Sequence, residues 1–177
     1  MIKQYLIFSM IVLMTGCASP LPRLKTVDNV DLKRYMGPWY VIAAIPTFIE
    51  TQAYNAVEEY QLLPDGTVNT IFTFNKGGFD GPLKRYNPRG FVIDKINNST
   101  WGMRFIWPFK AEFLITYINP DYSQTIIARN KRDYVWIQAR TPQISDKDYQ
   151  DLLNLLSSYG YDVTKVRKVP QQGKPND

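Results

Sequence analysis

The 177-residue chain contains no histidine. That absence removes the commonest general base, the usual partner of a catalytic serine and the commonest metal ligand. Haem carriage through a histidine ligand is excluded for the same reason. Cysteine is nearly absent: Cys17 stands alone, so no intramolecular disulfide can staple the fold. A pair of inward carboxylates for acid–base chemistry is also missing. Glu58 and Glu59 are adjacent, and neighbours on a strand point to opposite faces. No basic run or nucleic-acid motif occurs, so nucleic acid is not an expected partner. No catalysis, cofactor or metal is expected.

No apolar run is long enough to span a bilayer. The longest, residues 5–14, falls short of the about 20 apolar residues that a transmembrane helix needs. With Lys3 before it, residues 1–16 read as a signal peptide. They end in Leu13-Met14-Thr15-Gly16-Cys17, which resembles a bacterial lipobox. The resemblance implies cleavage before Cys17 and acylation of its thiol with chains such as palmitate. Two or three such chains anchor stably where one is marginal. Ala18 after the cysteine implies sorting to the outer membrane. Residues 17–30, with Pro20 and Pro22, read as a tether. At roughly 3 Å per residue it would reach on the order of 30–40 Å. Residues 31–169 read as one domain and 170–177 as a flexible polar tail.

Removing residues 1–16 takes away one lysine and no acid, so the formal charge falls from +5 to about +4. That excess is modest, consistent with solubility or with contact to anionic lipid. Aromatics make up 14% of the chain, which argues against disorder and for strands. Short strand-like runs separated by turn residues cover 39–45, 54–63, 67–75, 83–96, 100–107, 111–118, 124–129 and 134–140. Pro88 and Gly90 interrupt the fourth, suggesting a bulge or corner. After the eighth, Ser145 with Asp148 makes a capping-box pattern. Tyr149, Leu152, Leu153, Leu156 and Tyr159 then recur at helical spacing up to Gly160. A short strand near 163–169 completes the expected elements. The fold class is therefore all-β: an eight-stranded up-and-down antiparallel barrel with one C-terminal helix packed outside.

Gly37-Pro38-Trp39 opens the first strand, Asn119-Pro120-Asp121-Tyr122 sits between the sixth and seventh, and Arg140 ends the eighth. These resemble the three signatures of the lipocalins. The run 133–137 together with Arg140-Thr141-Pro142 and Ile144-Ser145-Asp146 looks most like the bacterial outer-membrane lipoprotein lipocalins. In an up-and-down barrel, Trp39 and Arg140 fall at the same closed end. An arginine over an indole is worth roughly 0.5–2 kcal/mol. Gly37, Trp39, Asp121, Tyr122 and Arg140 are thus assigned structural roles at the barrel floor.

Alternation places Trp39, Val41 and Ala43 on one face of the first strand, inward if Trp39 is inward. The matching inward sets are Phe72 and Phe74, then Trp101, Met103 and Phe105, then Phe113, Ile115 and Tyr117, and lastly Trp136. Periodicity alone leaves open whether these side chains fill the interior or line a pocket. The resemblance implies a pocket for fatty acids or lysophospholipids. Burying a chain of about fourteen to sixteen carbons would offer roughly 10 kcal/mol before ordering costs. The mouth loops carry Phe48, Trp107, Phe109, Lys110, Lys131 and Arg132, a rim suited to a bilayer or to lipid headgroups. Two alternatives stay open: a filled barrel acting as an envelope structural or interaction module, and carriage of a non-lipid apolar compound such as a pigment or antibiotic. A homodimer is also left open.

Overall fold

A computed structural model describes residues 21–173 of the chain. The signal-peptide reading of 1–16, the acylation reading of Cys17 and the end of the tail at 174–177 lie outside the described residues. A short helix, α1 (Leu32–Tyr35), precedes strands β1 (Gly37–Ile45), β2 (Ala53–Leu62), β3 (Thr67–Lys76), β4 (Leu83–Tyr86) and β5 (Arg89–Val92). Then come β6 (Thr100–Arg104), β7 (Ala111–Ile118), β8 (Gln124–Ala128) and β9 (Val135–Ala139). The chain ends with α2 (Asp146–Ser158), a 3₁₀ turn (Val163–Lys165) and β10 (Arg167–Lys168).

Neighbouring strands pair antiparallel in the order β1-β2-β3-β5-β6-β7-β8-β9, and β1 pairs with β9 from Tyr40↔Ala139 to Ile45↔Val135, which closes the sheet on itself. β4 and β5 together form one wall strand, both hydrogen-bonding to β3 and broken at Asn87-Pro88, where proline has no N–H to give. The result is a closed eight-stranded antiparallel barrel. β10 lies on β1 as a short outer addition. Among the described residues no helix is long and apolar enough to cross a membrane.

Among the described residues three register shifts interrupt the alternation, one of them on β2 between Tyr54 and Val57, and the other two reverse faces that alternation alone would assign. On β1 the register shifts between Val41 and Ala43, and on β7 between Ile115 and Tyr117. Each bulge adds one residue opposite none, which reverses the alternation beyond it. Trp39 and Val41 face inward, but Ala43 and Ile45 turn out. Phe113 and Ile115 face inward, but Tyr117 turns out. The outer patch so created receives α2, whose buried Leu152 and Leu156 pack on Ile42, Ala43, Ile126, Ala128 and Ile137. Ser145 caps α2, its hydroxyl accepting from Asp148 N at 3.0 Å.

The segment read as a tether does not stand away from the barrel over its described part. Pro22 O accepts from Arg132 Nη2 at 2.7 Å, and Leu24 N donates to Asn130 Oδ1 at 2.8 Å. Val27 N donates to Ile115 O at 2.9 Å, and Val30 N to Asn97 O at 2.8 Å. This stretch therefore descends the outer wall from the β8–β9 loop to the floor. Backbone groups that would otherwise face water there find partners on the wall. The start of the tail is docked likewise: Gln171 Nε2 donates to Val41 O at 2.8 Å and to Ala56 O at 2.9 Å.

Candidate functional site

The barrel is closed at one end by aromatic rings. Tyr35 on α1 stands 5.2 Å from Trp39, 5.7 Å from Tyr60 and 5.6 Å from Trp101, centroid to centroid. Trp101 stacks on Phe113 at 5.1 Å. Arg140 seals this end from outside, its guanidinium carbon 3.7 Å from the Trp39 ring centroid. It donates to the carbonyls of Pro38 and Arg34 at 2.7 Å, Met36 at 2.9 Å and Tyr35 at 3.1 Å. Glycine suits position 37 because its φ is +91°, a conformation that other residues rarely adopt. Tyr122 accepts from Asp31 N at 2.9 Å through its hydroxyl and carries Arg34 over its ring. The exposed Asp121 carboxylate accepts from Ser123 N at 3.1 Å, and hydrogen bonds to Ser123 hold it below the usual carboxylate range.

Above this floor the barrel encloses a cavity of about 360 Å³ that opens between the β1–β2 and β6–β7 loops. Of the inward residues expected from alternation, Phe72, Met103, Phe105, Phe113 and Trp136 line it. Trp101 and Ile115 belong to the floor cluster beneath it, and Val41 and Phe74 are packed into the wall beside Ala44 and Ala56. Ala43 and Tyr117 do not reach it, since the bulges turn them toward α2.

The mouth residues separate as well. Phe48 lies on the cavity rim and is 86% exposed. Trp107 and Phe109 project from the β6–β7 loop into solvent. Lys110 is turned to the outer wall, with Nζ 3.9 Å from the Phe91 ring centroid. Lys131 is exposed. Arg132 is not free for a headgroup: besides Pro22, it donates to Tyr159 O at 3.0 Å and Asn130 O at 2.6 Å.

Polar residues that the expected cavity lacked are Glu50, Glu58, Thr70, Glu112, Arg129 and Gln138, all on its lining. Glu50 is engaged in its own loop, accepting from Thr47 N at 3.0 Å and Trp136 Nε1 at 3.1 Å. Glu112 accepts from Asn130 N at 2.7 Å and Asn130 Nδ2 at 2.6 Å. Arg129 pairs with Asp133 at 3.5 Å. Glu58 lies deeper, in register with Trp39 and Phe72, and accepts from the Tyr60 hydroxyl. Burial pushes its carboxyl up to about 7; the Glu50 charge adds to the rise, while hydrogen bonds from Tyr60 and Gln138 oppose it. Burial and then the Glu58 charge push the Tyr60 hydroxyl well above its ordinary range. Glu58 was within reach of sequence reasoning. Two adjacent acids on a strand place one of them inside.

The comparisons with known proteins agree with this geometry. Residues 30–171 match the model of the Lipocalin-like domain family. Temperature-induced lipocalin-1 of Arabidopsis thaliana is 32% identical over 161 residues, 86% of this chain and 85% of the relative. The outer membrane lipoprotein Blc of Escherichia coli K12 is 31% identical over 165 residues, 91% of this chain and 92% of the relative. Among solved structures, insecticyanin from the tobacco hornworm Manduca sexta aligns with a TM-score of 0.65 at 15% identity, covering 84% of each chain.

Proposed function

Because the chain belongs to the lipocalin family, a family that binds small hydrophobic ligands, we propose that it is a lipid-anchored envelope protein holding one single-chain amphiphile, a fatty acid or a lysophospholipid, for storage or transport. The observation that carries this reading is the open cavity of about 360 Å³ walled by Phe72, Met103, Phe105, Phe113 and Trp136. That volume is at the low end of ligand pockets, about 300–1,000 Å³, which suits one chain and not two. A filled barrel would leave no such space. Affinity comes from burying methylene groups, at about 0.8 kcal/mol each before ordering costs. Catalysis is no part of this role.

Outer-membrane placement is proposed from the lipobox-like Leu13–Cys17 run and from the similarity to the lipoprotein Blc. The apolar rim of Phe48, Ile106, Trp107 and Phe109 is proposed to meet the lipid surface, with Lys131 beside anionic headgroups. Native mass spectrometry of the protein purified without added lipid tests the carrier role. A mass excess equal to one fatty acid or lysophospholipid is expected; an apo mass that stays unchanged after incubation with both overturns it. Labelling with radioactive palmitate tests the anchor, and persistence of the label in Cys17→Ser would overturn that part.

A further inference from the structure

The cavity is apolar along its walls and polar at its blind end. Glu58 lies there directly above the aromatic floor, with the Tyr60 hydroxyl donating to it and Gln138 Nε2 donating to that hydroxyl at 3.5 Å. Beside them, Thr70 and Gln138 are 1% and 0% exposed, and Thr70 Oγ1 and Gln138 Oε1 have no hydrogen-bond partner within the protein. Both residues line the cavity. A buried acceptor left unpaired is costly, so an occupant that supplies a donor there gains by pairing it.

Charge points the same way. The cavity lining carries three carboxyl groups, Glu50, Glu58 and Glu112, against one guanidinium, Arg129. Glu50 and Glu112 have their own donors, and Arg129 pairs with Asp133 through Nη1, although its Nε has no partner within the protein. Glu58 accepts from the Tyr60 hydroxyl and is also within hydrogen-bonding influence of Gln138, which leaves part of its four or so lone-pair sites to satisfy. A plain methyl end pushed down to Glu58 would desolvate it with nothing in return. A carboxylate end would meet a like charge.

We propose that Glu58, Gln138 and Thr70 form a polar subsite at the floor of the cavity that takes a hydrogen-bond donor, a primary ammonium or a hydroxyl, at the buried end of an otherwise apolar ligand. This rests on the cavity holding one single-chain amphiphile, and it departs from the fatty acid or lysophospholipid named above: the chain it calls for carries a donor at its buried end. The apolar wall holds the chain, and the subsite selects which end goes down. Charge-assisted hydrogen bonds are roughly twice as strong as neutral ones, so an ammonium gains more than a hydroxyl.

The test is competition on the full chain at about pH 8.5, where a Glu58 carboxyl raised to about 7 is ionised and dodecylammonium keeps its charge, using the neutral apolar dye N-phenyl-1-naphthylamine as the cavity reporter. Dodecylammonium, 1-dodecanol and dodecanoate, all below their micellar concentrations, are the competitors. Dodecylammonium is expected to displace the dye at about tenfold lower concentration than dodecanoate, with 1-dodecanol between. Glu58→Gln, which keeps the shape and the Tyr60 contact, is expected to cut that preference about tenfold, read as the ratio of dodecylammonium to dodecanoate displacement concentrations within the variant itself. Thr70→Val, which leaves the acid in place, is expected to weaken dodecylammonium and 1-dodecanol severalfold. A dodecanoate affinity equal to that of dodecylammonium, or a preference unchanged in Glu58→Gln, overturns the subsite and leaves the carrier reading intact. Failure of the dye and all three competitors to bind wild-type protein overturns both.

Discussion

Arg132 on the β8–β9 loop donates to the carbonyl of Pro22 at 2.7 Å, tying the segment that follows Cys17 to the open end of the barrel. Only residues 18–21 separate that contact from Cys17. At about 3.3 Å per residue they can reach at most roughly 15 Å, so an acylated Cys17 would hold the mouth, not the floor, near its membrane. Arg132→Ala is expected to free residues 22–24 from the wall. Faster amide exchange at Leu24, which donates to Asn130, with unchanged exchange along β1, is the readout. The same variant is expected to lose about 1–3 kcal/mol of stability, because it also leaves Tyr159 O unpaired. Unchanged exchange at Leu24 would count against the tie.

Arg140 seals the floor by donating to carbonyls on α1 and β1 while its guanidinium carbon sits over Trp39. Lysine carries the charge but not the fork, and an ammonium cannot span these acceptors. Arg140→Ala should cost at least about 3 kcal/mol, the scale of breaking several hydrogen bonds to a charged donor. Arg140→Lys should recover less than half of it. Urea unfolding of the three proteins at one pH measures both values, and a full rescue by lysine would mean that charge alone matters.

Burial raises the Glu58 carboxyl from 4.5 to about 7, and the sign of its effect on stability follows. The folded protein holds this proton more tightly than the unfolded chain. Its contribution is therefore fully present below about pH 4.5, and is lost as pH rises to about 7. The loss is at most roughly 3 kcal/mol, and less because the residue faces a cavity that water can enter. The groups around it are Glu50 from the β1–β2 loop, Tyr60 on its own strand, Tyr35 on α1, Arg129 on the β8–β9 loop and Arg140 behind the floor. None of the tyrosines titrates in this window, because burial raises both Tyr35 and Tyr60 above their ordinary value. Glu58→Gln is expected to flatten the decline in urea midpoint between pH 4.5 and 7. An identical decline in the variant would assign it to another group.

The strands and α2 were legible because alternation and capping are local. Ser145 and Asp148 announce the helix, and Trp39, Phe72, Met103 and Trp136 fall inward by parity alone. Ala43 and Tyr117 were misplaced because a one-residue bulge leaves no compositional trace, yet it inverts every side chain beyond it. Arg132 and Lys110 look like free cations in sequence. Their partners, Pro22 and Phe91, are 110 and 19 positions away, a distance that no local pattern encodes. The docking of residues 22–30 was hidden for the same reason: prolines suggest an extended chain, and an extended chain is also what lies well along a barrel wall. The short helix α1 escaped because four residues give no period to read.

The tips of the mouth loops offer the last test. Phe48, Ile106, Trp107 and Phe109 are 86%, 74%, 78% and 76% exposed, so they contribute little to the stability of the barrel itself. Full burial of such a side chain is worth about 1.5–3 kcal/mol, and partial insertion into a lipid interface recovers a fraction of it. Aromatic rings suit that interface, where tryptophan is enriched. Trp107→Ser with Phe109→Ser is therefore expected to lower partition of the Cys17→Ser protein onto phosphatidylglycerol vesicles by about tenfold, with its melting temperature unchanged. Lys131→Glu should weaken binding to phosphatidylglycerol but leave binding to phosphatidylcholine alone, since a single exposed charge acts through the surface potential. Both effects should be readable by vesicle sedimentation. Because the acyl anchor is removed in these proteins, the rim alone answers. Partition that ignores both sets of substitutions would place the membrane contact elsewhere on the molecule.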